Sequence, residues 1–203
     1  LFSIGLVSTF ISGGLTGLIL GDSALDINVH DTYFVVGHFH IVMGLSAIFG
    51  MFAGLYYWFP KMFGRVMNEP LGKVHFWLTF LFYNCTFIPM HLLGVAGHMR
   101  RIYNPMQYEF LQHLQPMNEF ITVSAFCLGA AQLPLVFNFC WSLYRGKKAE
   151  RNPWHANTLE WAAPSPPPHG NWGDTLPTIY RGAYEYSSPE VTEDWLPQDK
   201  QLV

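Results

Sequence analysis

The sequence is poor in charged residues, which make up 12% of its 203 residues, about half of the share usual in soluble globular proteins. Its net charge of −3 excludes a phosphate-binding basic surface as the main feature. The three cysteines, Cys85, Cys127 and Cys140, lie in apolar runs, which excludes a secreted disulfide scaffold. Apolar residues reach 50% and aromatic residues 17%, and this content excludes disorder across the whole chain.

Four apolar stretches are long enough to cross a bilayer, whose core of about 30 Å requires roughly 20 helical residues. They cover residues 1–21, 32–59, 74–97 and 120–144. We expect Pro60 to end the second span, and Pro89 and Pro134 to lie within ordinary helices. The pattern predicts an all-α fold, a polytopic membrane bundle of four transmembrane helices. A buried helical bundle in a soluble protein is the alternative.

The chain begins at Leu1, and no charged leader precedes its first apolar run. We therefore expect a processed product or a piece of a longer chain, and not a signal peptide over residues 1–20.

Basic residues predict the orientation of the spans, because cytoplasmic connections are enriched in lysine and arginine. They occur in the second connection and after the fourth span: Lys61, Arg65, Lys73, Arg145, Lys147, Lys148 and Arg151. Both chain ends are then expected on the cytoplasmic side of the membrane. Arg100 and Arg101 fall on the outer side, against the rule, which suggests that an anionic group holds them there.

The chain changes character after residue 146. We predict transmembrane helices over residues 1–146 and an extended cytoplasmic-side tail over residues 147–203. The proline-rich stretch 164–168 favours polyproline II and excludes helix. Trp154, Trp161 and Trp172 suggest docking contacts in this tail.

Ionisable residues inside a membrane span are costly and are usually functional. His38 and His40 stand two positions apart in the second span, and on an α-helix this spacing turns the side chains about 200° apart. The two histidines therefore cannot bind one metal, but each could bind a separate centre, with Phe39 between them. Neutral imidazole is a common axial ligand of haem iron. The alternative is two buried histidines that are hydrogen-bonded to neighbouring helices.

Two polar pairs are expected on the outer side. His30 and Asp31 suit a hard divalent ion such as magnesium or manganese. The alternative role of Asp31 is to cap the second span. Arg100 and Arg101 match carboxylates bidentately and could hold haem propionates, with anchoring to lipid phosphate as the alternative.

The stretch 25–40, LDINVHDTYFVVGHFH, resembles subunit I of the haem-copper oxidases, in the cytochrome c oxidase branch. Three further stretches agree in order and spacing. They are PMHLLG at 89–94 leading to Arg100 and Arg101, NTLEW at 157–161 and PSPPP at 164–168. The resemblance covers nearly the whole chain, but it matches only the last four of the family's twelve transmembrane helices and the tail.

The resemblance implies a role for each histidine of the second span. His38 would be the axial ligand of the high-spin haem, at which oxygen is reduced, and is the expected catalytic position. His40 would be an axial ligand of the low-spin haem. Phe39 would lie between the two haems.

The resemblance also implies roles on the outer side. His30 and Asp31 would belong to a magnesium or manganese site that a carboxylate of subunit II completes. Arg100 and Arg101 would pair with haem propionates, and Asp26 would lie in the propionate region.

Cofactors and partners follow from the same resemblance. We expect two haems of the haem A type, and a copper B ion whose ligands lie in the N-terminal part of subunit I. The chain would act with that N-terminal part, with subunits II and III, with cytochrome c as electron donor and with membrane lipid. A respiratory supercomplex is an open option, and no nucleic acid partner is expected. The expected location is the bacterial plasma membrane, with the mitochondrial inner membrane as the alternative.

The predicted function is part of the catalytic subunit of a cytochrome c oxidase. Such an enzyme is a proton-translocating oxidoreductase that reduces oxygen to water. The alternative within the family is a quinol oxidase, which differs in the subunit through which electrons enter. The alternatives from another class are a non-haem membrane transporter, which would tolerate His38→Ala, and a structural membrane subunit without cofactors.

Overall fold

The computed structural model describes residues 1–189 and 191–201. Its helices are α1 (Phe2–Gly21), α2 (Ser23–Val29), α3 (Tyr33–Phe39), α4 (Ser46–Phe63), α5 (Glu69–Val95), α6 (Gln115–Ala130) and α7 (Leu133–Arg145). A π-helical segment, His40–Leu45, joins α3 to α4. Short 3-10 turns cover Pro105–Gln107, Glu109–Leu114 and Leu159–Trp161. The strands β1 (Arg65–Val66) and β2 (Lys147–Lys148) pair antiparallel.

Four helical segments are long and apolar enough to cross a membrane: Phe2–Gly21, Tyr33–Phe63, Glu69–Val95 and Glu109–Arg145. The prediction of an all-α fold with four transmembrane helices is therefore confirmed, and the chain is an integral membrane protein. The predicted boundary between membrane helices and cytoplasmic-side tail at residue 146 depends on the placement in the bilayer and stays a prediction.

The prolines act differently from the expectation at two of three positions. Helix α4 continues through Pro60, because a proline removes only one backbone donor. The helix ends at Phe63, because the next residue, Gly64, has a left-handed backbone with φ +65°. The fourth span is broken after Ala130, and Pro134 lies in the first turn of α7, where a backbone N–H has no helical partner. Pro89 lies inside α5, as expected.

The chain forms two compact units. The first unit contains Leu1–Gly54 and Glu69–Phe137, and the second contains Leu55–Asn68 and Asn138–Val203.

In the first unit, helix α3 packs against α5 at very short range. A Cβ atom on Gly94 would overlap the backbone of Phe34, and one on Gly37 would lie 2.9 Å from the carbonyl oxygen of Phe87. Small residues allow such close approach of helices in membranes, where dispersion contacts drive packing. Helix α3 and the π-helical segment also contact α1, so the residues around His38 are held between two helices.

An apolar cluster holds the connection between α5 and α6. Its buried members are Met90, Leu93, Leu111, Leu114 and Ile121. Leu93 and Leu111 are both 0% exposed, and burying a leucine side chain contributes about 1.5–3 kcal/mol. The cluster therefore fixes the 3-10 turn Glu109–Leu114 against α5.

The second unit is held by buried polar side chains that bond to its own backbone. Asn138 accepts from the backbone N–H of Asn68 (2.9 Å) and donates to its carbonyl (2.8 Å). Lys61, only 7% exposed, donates to the carbonyls of Ala163 (2.6 Å) and Arg151 (3.3 Å). The bonds of Lys61 tie the segment after α7 to the end of α4, and those of Asn138 tie α7 to the segment before α5.

The tail after residue 150 docks on its own unit. Asn157, which is 0% exposed, accepts from the N–H of Leu196 (2.7 Å) and donates to the carbonyl of Glu185 (3.0 Å). Trp161 donates from Nε1 to the hydroxyl of Tyr57 (2.8 Å). The tail thus contains built packing contacts, as the tryptophans suggested.

Candidate functional site

The ring of His38 faces α1. Its Nδ1 lies 3.0 Å from the carbonyl oxygen of Gly13 and 2.9 Å from Oγ1 of Thr16. A carbonyl oxygen can only accept a hydrogen bond, so in the neutral ring Nδ1 carries the proton and Nε2 carries the lone pair. The tautomer that can bind a metal through Nε2 is therefore set by α1.

The ring of His40 faces α5. Its Nδ1 lies 2.8 Å from the carbonyl oxygen of Val36, and its ring stacks on Phe87 with centroids 4.4 Å apart. The ring of Phe39 lies 4.3 Å from the ring of His40. In the neutral ring, this carbonyl again assigns the proton to Nδ1 and the lone pair to Nε2.

The two histidines point to different neighbours, as their spacing predicts. The π-helical segment begins at His40, and such segments are frequent at functional sites. Among the described residues, Nε2 of neither ring takes part in a hydrogen bond, although each Nδ1 does. Within the described residues, each ring therefore keeps its Nε2 available for a separate contact.

A third histidine, His91, lies beside this pair, and no role was predicted for it from the sequence beyond its place in the stretch 89–94. His91 bonds through Nδ1 to the carbonyl of Phe87 (3.1 Å), and its ring lies against Gly37 and Phe34. Its Nε2 is buried without a hydrogen-bond partner in the described part of the chain. An unsatisfied buried nitrogen costs about 1–3 kcal/mol, so a partner group beyond these residues is expected.

Arg100 organises the polar cluster that contains Asp31. Its Nε donates to Oδ1 of Asp31 (2.8 Å), its Nη2 contacts the same oxygen, and its backbone N–H donates to the Asp31 carbonyl (3.0 Å). This hydrogen bond, with the charge of Arg100, lowers the pKa of Asp31. Arg101 is exposed and has a left-handed backbone with φ +66°.

His30 links two carboxylates in the same cluster. Its Nε2 lies 3.7 Å from Asp31 and its Nδ1 lies 3.5 Å from Asp26. Across the described residues, no group of three or more histidine, cysteine, aspartate or glutamate side chains is placed to hold a metal ion. Among these residues, His30 and Asp31 are therefore a pair of side chains and not a complete metal site.

The capping role considered for Asp31 is wrong. Thr32 is the cap of α3, and its side chain accepts from the N–H of Phe34 (3.2 Å). Asp31 has φ +55°, a conformation that aspartate tolerates better than most residues. This turn places the carboxylate beside Arg100.

His98 holds the loop that carries the arginine pair, a role that the sequence did not reveal. It is 2% exposed, its Nδ1 lies 3.0 Å from the Met99 carbonyl, and its Nε2 lies 3.2 Å from Nδ2 of Asn118. The His98 carbonyl also accepts from the N–H of Tyr33 (2.9 Å). No sequence signal identifies such partners, because they come from three separate segments.

Comparisons with known proteins agree on one family. The family model described as cytochrome c and quinol oxidase polypeptide I matches residues 1–127. The alternative cytochrome c oxidase subunit 1 of Bradyrhizobium diazoefficiens is 47% identical over 98% of this chain and 34% of that protein. The cytochrome c oxidase subunit 1 of Synechocystis sp. is 49% identical over 96% of this chain and 34% of that protein. The chain thus spans about a third of the length of these relatives.

A solved structure shows the same fold. It is a heme-copper terminal oxidase dimer determined by cryo-EM, with a TM-score of 0.64 and 20% identity. The similarity covers 73% of this chain and 27% of that chain.

Proposed function

Because the chain belongs to the family of subunit I of the cytochrome c and quinol oxidases, we propose that it is the haem-holding part of the catalytic subunit of a terminal respiratory oxidase. The observation that carries this proposal is the pair His38 and His40. Each has its Nδ1 bonded to a backbone carbonyl and its Nε2 without a hydrogen bond among the described residues. The reaction proposed for the whole enzyme is reduction of oxygen to water with electrons from cytochrome c, coupled to proton translocation.

The histidines fit two haems. Histidines that bind metals nearly always donate their other ring N–H to a carbonyl or carboxylate, and both rings do so here. We assign His38 to the high-spin haem and His40 to the low-spin haem, with Phe39 between them. When bound, the haems would supply electron transfer and the chemistry of oxygen. The part of this chain is to fix the positions of two iron ligands through α1 and α5.

The outer arginines fit haem propionates. Arg100 binds Asp31 through Nε and Nη2, which leaves its Nη1 for a second carboxylate. Arg101 presents an exposed guanidinium on the same loop. We propose that both stabilise propionates, and that Asp26 lies in this region. Their positive charge would favour the reduced state of a nearby haem. We propose haem A as the type.

His30 and Asp31 fit part of a magnesium or manganese site. Their side chains are 66% and 57% exposed, so a further ligand from another subunit can reach them. The low pKa of Asp31 keeps its carboxylate ionised, which is the state that binds a divalent ion. The third ligand would be a carboxylate of subunit II.

The rest of the enzyme would surround this chain. Helix α1 presents exposed apolar side chains, with Ile4 70% and Leu18 71% exposed, which in a membrane face lipid or further helices. We propose the N-terminal part of subunit I as one partner, with the copper B ligands in that part, and subunits II and III as others. The named relatives are bacterial, which supports a bacterial plasma membrane. The family description includes quinol oxidases, so a quinol is the alternative donor.

Difference spectra test this proposal. The complex would be purified from its native membrane, and reduced-minus-oxidised spectra recorded with and without carbon monoxide. We expect two haem signals in the wild type, one of which shifts with carbon monoxide. His38→Ala should remove the shifted signal and His40→Ala the other, while His113→Ala, a change at an exposed histidine, should leave both. A complex without haem would contradict the proposal.

A further inference from the structure

A cavity of about 420 Å³ lies in the second unit, where α7 ends. Three cationic residues, Arg145, Lys147 and Lys148, line it, together with one acidic residue, Glu150. Its charge is therefore positive. Its volume falls within the range of about 300–1,000 Å³ typical of ligand pockets.

The wall of this cavity has a defined backbone. Strand β2, which contains both lysines, pairs with β1, and Val66 lies opposite Lys147. Arg65 donates from Nη1 to the carbonyl of Gly146 (2.7 Å), and Ser142 donates to the side chain of the buried Asn138 (3.0 Å). The backbone that carries the cationic residues is thus held in place by these contacts.

The cavity lies at a membrane boundary. The fourth span ends at Arg145, one of its lining residues. Trp141, which also lines the cavity, is 52% exposed, and Tyr144 is 78% exposed. Tryptophan and tyrosine are enriched at the level of lipid headgroups. The positive-inside rule places this end of α7 at the inner leaflet, which carries anionic lipids.

We propose that this cavity binds the phosphate-bearing headgroup of an anionic phospholipid. Arg145, Lys147 and Lys148 provide the cationic contacts, and Trp141 lies beside the lipid at the headgroup level. Free inorganic phosphate shares the same chemistry, but the exposed aromatic residues and the end of the apolar span select the lipid. The proposal does not depend on haem binding, because no residue of the haem site takes part.

The test uses the purified complex after removal of lipid in detergent. Binding of phosphatidylglycerol would be measured by native mass spectrometry, with phosphatidylcholine and inorganic phosphate as separate probes. Each basic residue near an anionic lipid changes affinity about 5-fold, so Lys147→Gln with Lys148→Gln should weaken one phosphatidylglycerol site about 30-fold. The matched control is Lys73→Gln with Lys200→Gln, which removes two positive charges outside the cavity and should change affinity less than about 3-fold.

Four results would each overturn the proposal or part of it. An equal loss of phosphatidylglycerol affinity in the lysine pair variant and in the control would overturn the site, because the loss would then follow the net charge of the protein and not the cavity. Displacement of phosphatidylglycerol by millimolar phosphate, or equal binding of phosphatidylcholine, would overturn the anionic lipid as ligand. If the lysine pair variant does not assemble, Arg145→Gln tests the same site, with an expected loss of about 5-fold and with intact haem spectra as the control for assembly. Unchanged binding in that variant would also overturn the proposal.

Discussion

The buried amides and the buried lysine of the second unit differ from three histidines of the first unit in how their polar atoms are used. In the second unit, Asn138, Asn157 and Lys61 are buried, and each bonds to backbone of the same unit. In the first unit, the ring of His91 has a buried Nε2 without a partner in the described chain. His38 and His40 use only Nδ1 in hydrogen bonds within it. Satisfied polar groups stabilise a fold, whereas the Nε2 atoms of His38 and His40 are the atoms that the proposed haems would require.

The largest expected effect is at His38. In His38→Ala, turnover of the complex should fall by at least about 100-fold, because the iron loses a ligand and not merely a partner of that ligand. Oxygen consumption by the purified complex measures this. The buried but hydrogen-bonded Asn138 serves as a contrast: Asn138→Asp should impair assembly more than the turnover of each assembled complex. Normal turnover in His38→Ala would contradict the assignment of His38 as a haem ligand.

Asn157→Ala should have the second largest effect, and it should act on stability alone. The change leaves the N–H of Leu196 and the carbonyl of Glu185 without partners, at a cost of about 2–4 kcal/mol. Limited proteolysis should then cut the tail faster while the haem spectrum is unchanged. His169→Ala, an exposed change in the same tail, is the control. An altered haem spectrum in Asn157→Ala would show that the tail also supports the haem site.

Arg100→Gln should lower the midpoint potential of a haem without loss of haem. A positive charge about 10 Å from an iron favours its reduction by roughly 1–2 kcal/mol at an effective dielectric constant of about 20, which is roughly 40–90 mV. Potentiometric titration of the purified complex measures the change. Arg100→Lys keeps the charge and should show a smaller shift. An unchanged potential in Arg100→Gln would favour the lipid-anchor role.

Thr16→Val tests the support of His38 by α1. The change removes one of two oxygens near Nδ1 and leaves the Gly13 carbonyl, so turnover should fall by about 10-fold, at the low end for partners of metal ligands. Thr122→Val, an exposed change on α6, is the control. If both variants have wild-type turnover, the Gly13 carbonyl alone orients the ring.

The smallest effect concerns the charge of Asp31. Its pKa is lowered chiefly by the hydrogen bond from Arg100, so the stabilising ion pair exists above the ordinary pKa of aspartate and is lost as the pH falls through the lowered value. In Arg100→Gln the pKa should rise, and protonation should begin at higher pH. Infrared titration of the carboxyl band, identified by its absence in Asp31→Asn, measures the shift. An identical titration in both proteins would contradict the role of Arg100.

The sequence determined the membrane helices and the histidine pair. Four apolar runs and few charges favour membrane-spanning helices over the buried bundle of a soluble protein. A spacing of two residues directs His38 and His40 to different neighbours whatever surrounds them. The sequence could not predict that the fourth span is interrupted at residues 131 and 132. A proline such as Pro134 can lie inside a helix or in its first turn, and the choice depends on where the helix begins.

Only the tertiary structure decided which atoms of these side chains form hydrogen bonds, and with which partners. The bond from His38 to Gly13 spans 25 residues, and that from Arg100 to Asp31 spans 69, so neither follows from a local pattern. Thr32 took the capping role that the sequence allowed to Asp31, and this left the Asp31 carboxylate to Arg100. Sequence periodicity fixes the face on which a residue lies. Its hydrogen-bond partner is fixed only when helices that are distant in sequence pack at distances set by residues such as Gly94.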